Sequence, residues 1–256
     1  MNMSKLYDNP QYYEIAFSFR NIRKETNIME GCITRFSKIP VKSVLEIGCG
    51  NSPHLVELLK RGYRYTGIDL SRKMLEYSQK KVGGEFLNRV KFIKANMNNF
   101  TLAGKFDFAF ILLGSLYASN SSELQSHFTS VAKCLKPGGL YLLDWCVNFN
   151  PLTNTKQKWT MKKGDITVKT AVSYKLINPV NQLYEEEIVL NVIDKGKKKR
   201  IIERERKIAI YPQEFFCLIK NMKRFKFIGW WNNWDLDQRL DRVLKISRPI
   251  IILQRI

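Results

Sequence analysis

Residues 44–51 read Val-Leu-Glu-Ile-Gly-Cys-Gly-Asn, and Asp69 closes a second apolar run, Tyr65-Thr66-Gly67-Ile68. Strand, glycine turn, helix, strand and carboxylate follow one another, the order that a nucleoside-binding crevice needs. Gly48 and Gly50 let the backbone turn sharply and approach a ligand with no Cβ in the way. Asp69 falls at the carboxyl edge of the second strand, where an acceptor-only side chain would meet a ribose diol. A charge-assisted contact of that kind contributes about 1.5–3 kcal/mol.

Two kinds of nucleoside site use such a turn, and two residues separate them. A dinucleotide site carries a third glycine and offers helix amides to a pyrophosphate, but here Pro53 holds that position and has no amide hydrogen. Pro53 instead suits the first turn of a helix over residues 54–60. Glu46, two residues before Gly48, would repel a pyrophosphate and attract a cationic amino-acid tail.

Three further segments follow in order: Val90-Lys91-Phe92-Ile93-Lys94-Ala95-Asn96-Met97, Phe106-Asp107-Phe108-Ala109-Phe110-Ile111-Leu112-Leu113-Gly114-Ser115, and Leu135-Lys136-Pro137-Gly138-Gly139-Leu140-Tyr141-Leu142-Leu143. With the turn and Asp69 they make residues 41–146 resemble the class I S-adenosylmethionine-dependent methyltransferases. The resemblance implies S-adenosyl-L-methionine as methyl donor and S-adenosyl-L-homocysteine as product. It places Glu46, Gly48, Cys49 and Gly50 around the donor, Asp69 on its ribose, and Leu70 and Met74 against its adenine or ribose face. It also places Asn96 and Met97 at the adenine, and a backbone carbonyl of Leu113-Gly114-Ser115 at the donor's ammonium. The sequence departs from the family pattern at Asn96, usually Asp, and at Ser52, where many relatives have a third glycine. An amide oxygen still accepts from the adenine amine, with less electrostatic help.

The implied fold is α/β: a Rossmann-like, mostly parallel seven-stranded sheet in the order 3-2-1-4-5-7-6, with strand 7 antiparallel. Beyond the fifth strand the pattern turns β-rich. Residues 158–161, 166–176, 183–193 and 201–211 are rich in Val, Ile, Thr and Tyr and separated by Gly or Asn turns, which predicts an inserted antiparallel sheet. Pro212 then opens a helix to about residue 222, and strands over 225–231 and 249–253 complete the main sheet. Ahead of the turn, residues 9–36 read as an aromatic, then amphipathic, helical lid. Four segments result: a lid over 1–40, a donor-binding core over 41–149, the inserted sheet over 150–211, and a closing helix and strands over 212–256.

With 256 residues, 45% of them hydrophobic, the chain can fill a substantial core. No apolar run is long enough to span a bilayer, and Met1-Asn2-Met3-Ser4-Lys5 lacks a secretory pattern, so a cytoplasmic location is expected. Cys32, Cys49, Cys134, Cys146 and Cys217 are widely spaced, and His54 and His127 join no ligand cluster. Each cysteine reads as a small buried hydrophobe, and no metal site is predicted. The net charge of +20 could draw nucleic acid, yet the one dense basic run, residues 195–200, reads as a solvated hairpin turn.

The donor's methyl is already activated, so transfer demands an aligned nucleophile and a dry pocket more than acid-base power. Tyr7, Tyr13 and Tyr211 are candidates to assist it; Trp145 and Arg204 are candidates to wall the acceptor. The expected acceptor is a small molecule, compact and polar, with an anionic group if Arg204 faces inward, methylated on nitrogen or oxygen. Arg204 and Arg206 alternate with Glu203 and Glu205, a pattern that more often forms a surface ion-pair ladder. An RNA methyltransferase, a non-catalytic donor-binding protein and a dinucleotide-dependent oxidoreductase are the competing readings.

Overall fold

A computed structural model of the protein describes residues 6–150, 155–243 and 245–256. The five residues read for a secretory pattern lie outside that set. The first strands, β1 (Ser43–Ile47), β2 (Arg64–Asp69), β3 (Val90–Lys94), β4 (Phe106–Ile111) and β5 (Leu135–Asp144), run parallel. Every residue of β1 and β4 is buried. That is why these strands read as continuous apolar runs: a parallel sheet is covered on both faces. Leu45, Ile47, Ala109 and Ile111 enter one core, and Val44, Phe108 and Phe110 the other, alternating along each strand.

The helices are α1 (Pro10–Ala16), α2 (Ile22–Phe36), α3 (Leu55–Lys60), α4 (Arg72–Gln79), α5 (Ser121–Cys134) and α6 (Pro212–Met222). The helical lid is broken in two. Ser18 Oγ donates to the Ile15 carbonyl at 2.8 Å as α1 ends, and Asn21 caps α2 by accepting from the Lys24 amide at 3.0 Å. Pro53 lies in a turn ahead of α3, whose N-cap is His54, so the helix starts one residue later than its spacing suggested.

Between β5 and α6 the chain forms a second sheet from β6 (Thr155–Lys163), β7 (Ile166–Asn178), β8 (Leu183–Asp194) and β9 (Lys197–Ile208). These strands are longer than their sequence pattern showed, and pair antiparallel in chain order. The basic run is a turn only at Lys195 and Gly196, which take φ of 46° and 79°; from Lys197 onward it is strand. A two-residue hairpin with both positions left-handed matches the strand twist, so the cations are aligned along β9 and not looped out.

Strands β10 (Phe225–Trp231) and β11 (Ile250–Arg255) close the main sheet, whose order is β10-β11-β5-β4-β1-β2-β3 with β11 antiparallel to β5. This is the expected 3-2-1-4-5-7-6 arrangement. No described helix is long and apolar enough to cross a membrane. Of the cysteines, Cys32, Cys49, Cys134 and Cys146 are buried, but Cys217, expected inside, lies on the exposed side of α6.

Candidate active site

The sheet order changes direction between β1 and β4, and the carboxyl ends of β1, β2, β3 and β4 all open there. Gly48 takes φ +63°, and a Cβ on it would stand 3.0 Å from Met97 Cε. Met97 therefore packs across the glycine turn, joining two segments expected at one ligand. Asp69 binds the turn directly: its Oδ2 accepts from the Gly50 amide and its Oδ1 from the Ser71 amide, each at 2.8 Å. Each oxygen keeps a further lone pair. Burial raises the Asp69 carboxyl above its ordinary value, opposed by these amides.

Glu46 is 3% exposed, and its carboxyl meets the Tyr65 hydroxyl, which also reaches Ser52 Oγ at 3.0 Å. With no cation in direct contact, burial pushes Glu46 up to about 8. It is a buried acid poised to ionise beside a positive ligand. Next to it opens a cavity of about 300 Å³ lined by Tyr13, Phe17, Arg20, Glu46, Gly48 and Leu113, among others.

Leu70 is 57% exposed at the end of β2, and Asn96 is exposed after β3, its side-chain oxygen accepting from Asn98 N at 2.9 Å. Met74 is fully buried under α4, where it packs and offers no surface to a ligand. Leu113 and Gly114 both take positive φ, 55° and 63°. Their amides are held by Asp144, through its Oδ2 and its carbonyl, each at 2.9 Å. A Cβ on Gly114 would stand 2.9 Å from the Trp145 carbonyl oxygen, so the loops after β4 and β5 touch at this glycine. Trp145 itself is 41% exposed, with φ 61°.

Asp144 anchors an ion network that spacing along the chain could not reveal. Arg248 pairs with it at 2.5 Å and with Glu25 at 2.6 Å; Glu25 in turn pairs with the cavity residue Arg20. Hydrogen bonds from His54 and Arg20 and the charge of Arg248 hold Glu25 well below the carboxylate range despite its burial. Arg20, absent from any motif, thereby presents a fixed cation to the cavity. Burial lowers His54 to about 4, so its ring stays neutral in the network.

A second polar cluster lies on the inner face of the inserted sheet, which otherwise packs against Leu6, Ile15 and Ala16. Glu186 is 6% exposed and accepts from the Tyr117 hydroxyl, while Lys207 Nζ lies 3.4 Å from it and 3.2 Å from the Gly114 carbonyl. Lys207 also stands over the Tyr117 ring, 4.4 Å from its centroid. Glu203 and Glu205 share this face of β9 with Lys207, and Glu205 stands directly across from Glu186. Glu205 is raised by burial and by the charges of Glu203 and Glu186. Glu186 itself is held low by Lys207 and its tyrosine partners, against its burial.

Tyr7 and Tyr13 pack 5.9 Å apart against the inserted sheet, and Tyr13 feels both Arg20 and Glu186. Burial raises both phenols, which keeps them protonated near neutrality. Tyr211 is the N-cap of α6 and does not line the cavity. Arg204 points the other way: its side chain is 58% exposed and pairs with Glu187 at 2.6 Å, beside the Arg206–Glu185 pair. Alternation on β9 sends the carboxylates inward and the arginines outward, so the ion-pair ladder is what forms. Among the described residues no cluster of three or more potential metal ligands occurs.

A family model for a methyltransferase domain matches residues 44–139, the span that carries the glycine turn, Asp69 and the loop after β4. A curated relative from Geobacillus sp. (strain WCH70), provisionally designated a methyltransferase, is 32% identical over 113 residues, covering 44% of this chain and 45% of its own. The match thus spans less than half of that relative's length. Among solved structures, a S-adenosylmethionine-dependent methyltransferase from Clostridium acetobutylicum superposes with a TM-score of 0.73 at 16% identity, over 95% of this chain and 96% of its own. CalS10, an amino pentose methyltransferase from Micromonospora echinaspora with S-adenosylmethionine bound, gives the same TM-score, identity and coverages, 0.73, 16%, 95% and 96%. Residues 44–139 thus match a methyltransferase domain, and the described fold is the one shared by these S-adenosylmethionine-dependent methyltransferases.

Proposed function

We propose that the protein transfers a methyl group from S-adenosylmethionine to the nitrogen of a small, cationic amine. The donor supplies an electrophilic methyl on a sulfonium centre. The residues fit such a group: Glu46 is a buried carboxyl with no cation beside it, Arg20 offers a carboxylate its counter-charge, and Asp69 keeps lone pairs for a diol. Asn96 and Met97 would border the adenine. The anionic acceptor expected from Arg204 gives way here to a positive one.

The observation that carries the acceptor class is the charge of the polar cluster on the inner face of the inserted sheet. Glu186, Glu203 and Glu205 lie on this face with Lys207 as their basic neighbour, Glu203 accepting from the Leu6 amide, in a chain whose net charge is +20. Buried like charges directly opposed on a sheet are costly, and a cationic guest relieves that cost. An ammonium entering there must lose a proton before its nitrogen can attack. Glu205, raised by its neighbours, is suited to accept it. Tyr7, Tyr13 and Tyr117 would orient the amine as neutral hydrogen-bonding groups, and the tyrosine faces favour a cation by about 0.5–2 kcal/mol. CalS10's amino pentose acceptor is a compact amine of this type.

A labelled-methyl screen over fractionated amines, acids, alcohols and RNA tests this reading. Amine fractions should be labelled, Glu186→Gln should lose turnover with donor affinity kept, and Arg204→Ala should change neither. Labelling confined to acids or RNA would overturn the assignment. So would calorimetry showing NAD preferred over S-adenosylhomocysteine.

A further inference from the structure

The inserted sheet has a second face, and its character is the reverse of the first. The registers place Lys158, Ala171 and Val189 in one cross-strand row on the face away from Glu186 and Lys207. Flanking rows set Lys156 beside Ser173, and Thr160 beside Lys169, Asn191 and Arg200. These residues bound an open hollow of about 460 Å³. Lys156, Lys158, Lys169 and Arg200 are all exposed, and among the described residues none forms an ion pair. The one carboxylate lining the hollow, Glu187, is already taken by Arg204 at 2.6 Å.

We propose that this hollow is a docking surface for single-stranded RNA. Four unpaired cations about a shallow apolar floor of Ala171 and Val189 match a phosphate backbone laid across a sheet. Thr160, Ser173 and Asn191 stand between the cations and supply the donors and acceptors that a 2′-hydroxyl pairs with. A second copy of this chain would bring the same positive face and be repelled, and a flat bilayer cannot enter a concavity. Because the hollow lies on the opposite sheet face from Glu186 and Lys207, the docked strand is a tether and not the methyl acceptor. The proposal therefore stands independently of the acceptor assigned above.

The test is fluorescence anisotropy of a labelled mixed-sequence RNA of about twelve nucleotides, titrated with the full chain over a salt series. Wild type should bind with a steep salt dependence. The variant K158E/K169E should bind about tenfold or more weakly, with its log-log salt slope reduced by about 1.4, two phosphate contacts on a single strand. A control reversal on exposed helix positions, K60E/K80E, should change affinity less than about twofold. Circular dichroism and thermal midpoints check folding, and K158Q/K169Q replaces the reversal if that variant fails to fold. Equal loss in the control would reduce the effect to diffuse net charge and overturn the site. Equal affinity for DNA of the same sequence, or tighter binding of poly-glutamate or anionic vesicles, would overturn the choice of RNA.

Discussion

At the residue scale, Asp69 and Glu46 show how one ligand site divides its electrostatics. Asp69 is a carboxylate satisfied by two backbone amides, so it both shapes the glycine turn and keeps acceptor capacity for a ligand. Asp69→Ala is expected to weaken S-adenosylhomocysteine binding about tenfold or more in calorimetry, from the loss of a charge-assisted bond of about 1.5 kcal/mol or more. Unchanged affinity would separate Asp69 from the ligand. Glu46 behaves differently, because burial holds it at about 8. A cationic ligand favours its ionised form, so binding releases a proton and should tighten as the pH rises from about 6 toward about 8. Calorimetry in buffers of unlike ionisation heat would detect that proton, and Glu46→Gln should abolish both the release and the slope. An affinity independent of pH over this window would mean that Glu46 is already ionised in the free protein.

At the scale of elements, the ion network fixes where the lid enters the site. Arg248, just ahead of β11, ties β5 through Asp144 to α2 through Glu25, and Asp144 also holds the Leu113 amide. Removing the shared cation leaves the buried Asp144 without a charged partner, and Glu25 with Arg20 and His54 alone, which costs about 3–5 kcal/mol. Arg248→Met should therefore lower the urea midpoint by an amount corresponding to several kcal/mol, and weaken donor binding by loosening Arg20 and the loop after β4. A stability loss near zero would show that solvent replaces the guanidinium there. The same scale explains why Arg204 misled: on a strand the face is set by parity, and the register against β8 turns odd positions such as Glu203, Glu205 and Lys207 inward. The alternation was legible in the sequence. Which half of it faced inward depended on pairing with β8.

At the scale of the whole molecule, three buried titrating groups set a pH profile. His54 and His127 are fully buried and lowered to about 4 from 6.5, so they stay neutral when folded and take protons when unfolded. Stability from this source is full above 6.5 and is lost as pH falls toward about 4. Glu46 acts oppositely: raised from 4.5 to about 8, it costs stability progressively as pH rises through that window. Two protons outweigh one below 6.5, and only Glu46 acts above it, so these groups place the optimum near 6.5. Chemical denaturation at closely spaced pH should show stability rising to that point and declining toward about 8. A profile still rising above it would remove Glu46 from the account.

The sequence by itself determined the sheet order, the glycine turn, Asp69 and the loop after β4. These are encoded by local periodicity and by backbone conformations that few residue types adopt, so they can be read within a few residues of themselves. It determined the inserted strands too, since β-branched runs between turn residues report a pleated surface whatever lies across from it. Tertiary structure alone decided that Arg20 would line the cavity beside Glu46, that Arg248 would bind Glu25 and Asp144, and that Glu186, Lys207 and Tyr117 would meet. Those contacts join positions far apart in the chain, and their energy comes from shared burial, which no spacing records. Tertiary structure also decided the two faces of the inserted sheet, acidic within and basic without. Parity made them different, and packing against the lid chose which one was enclosed.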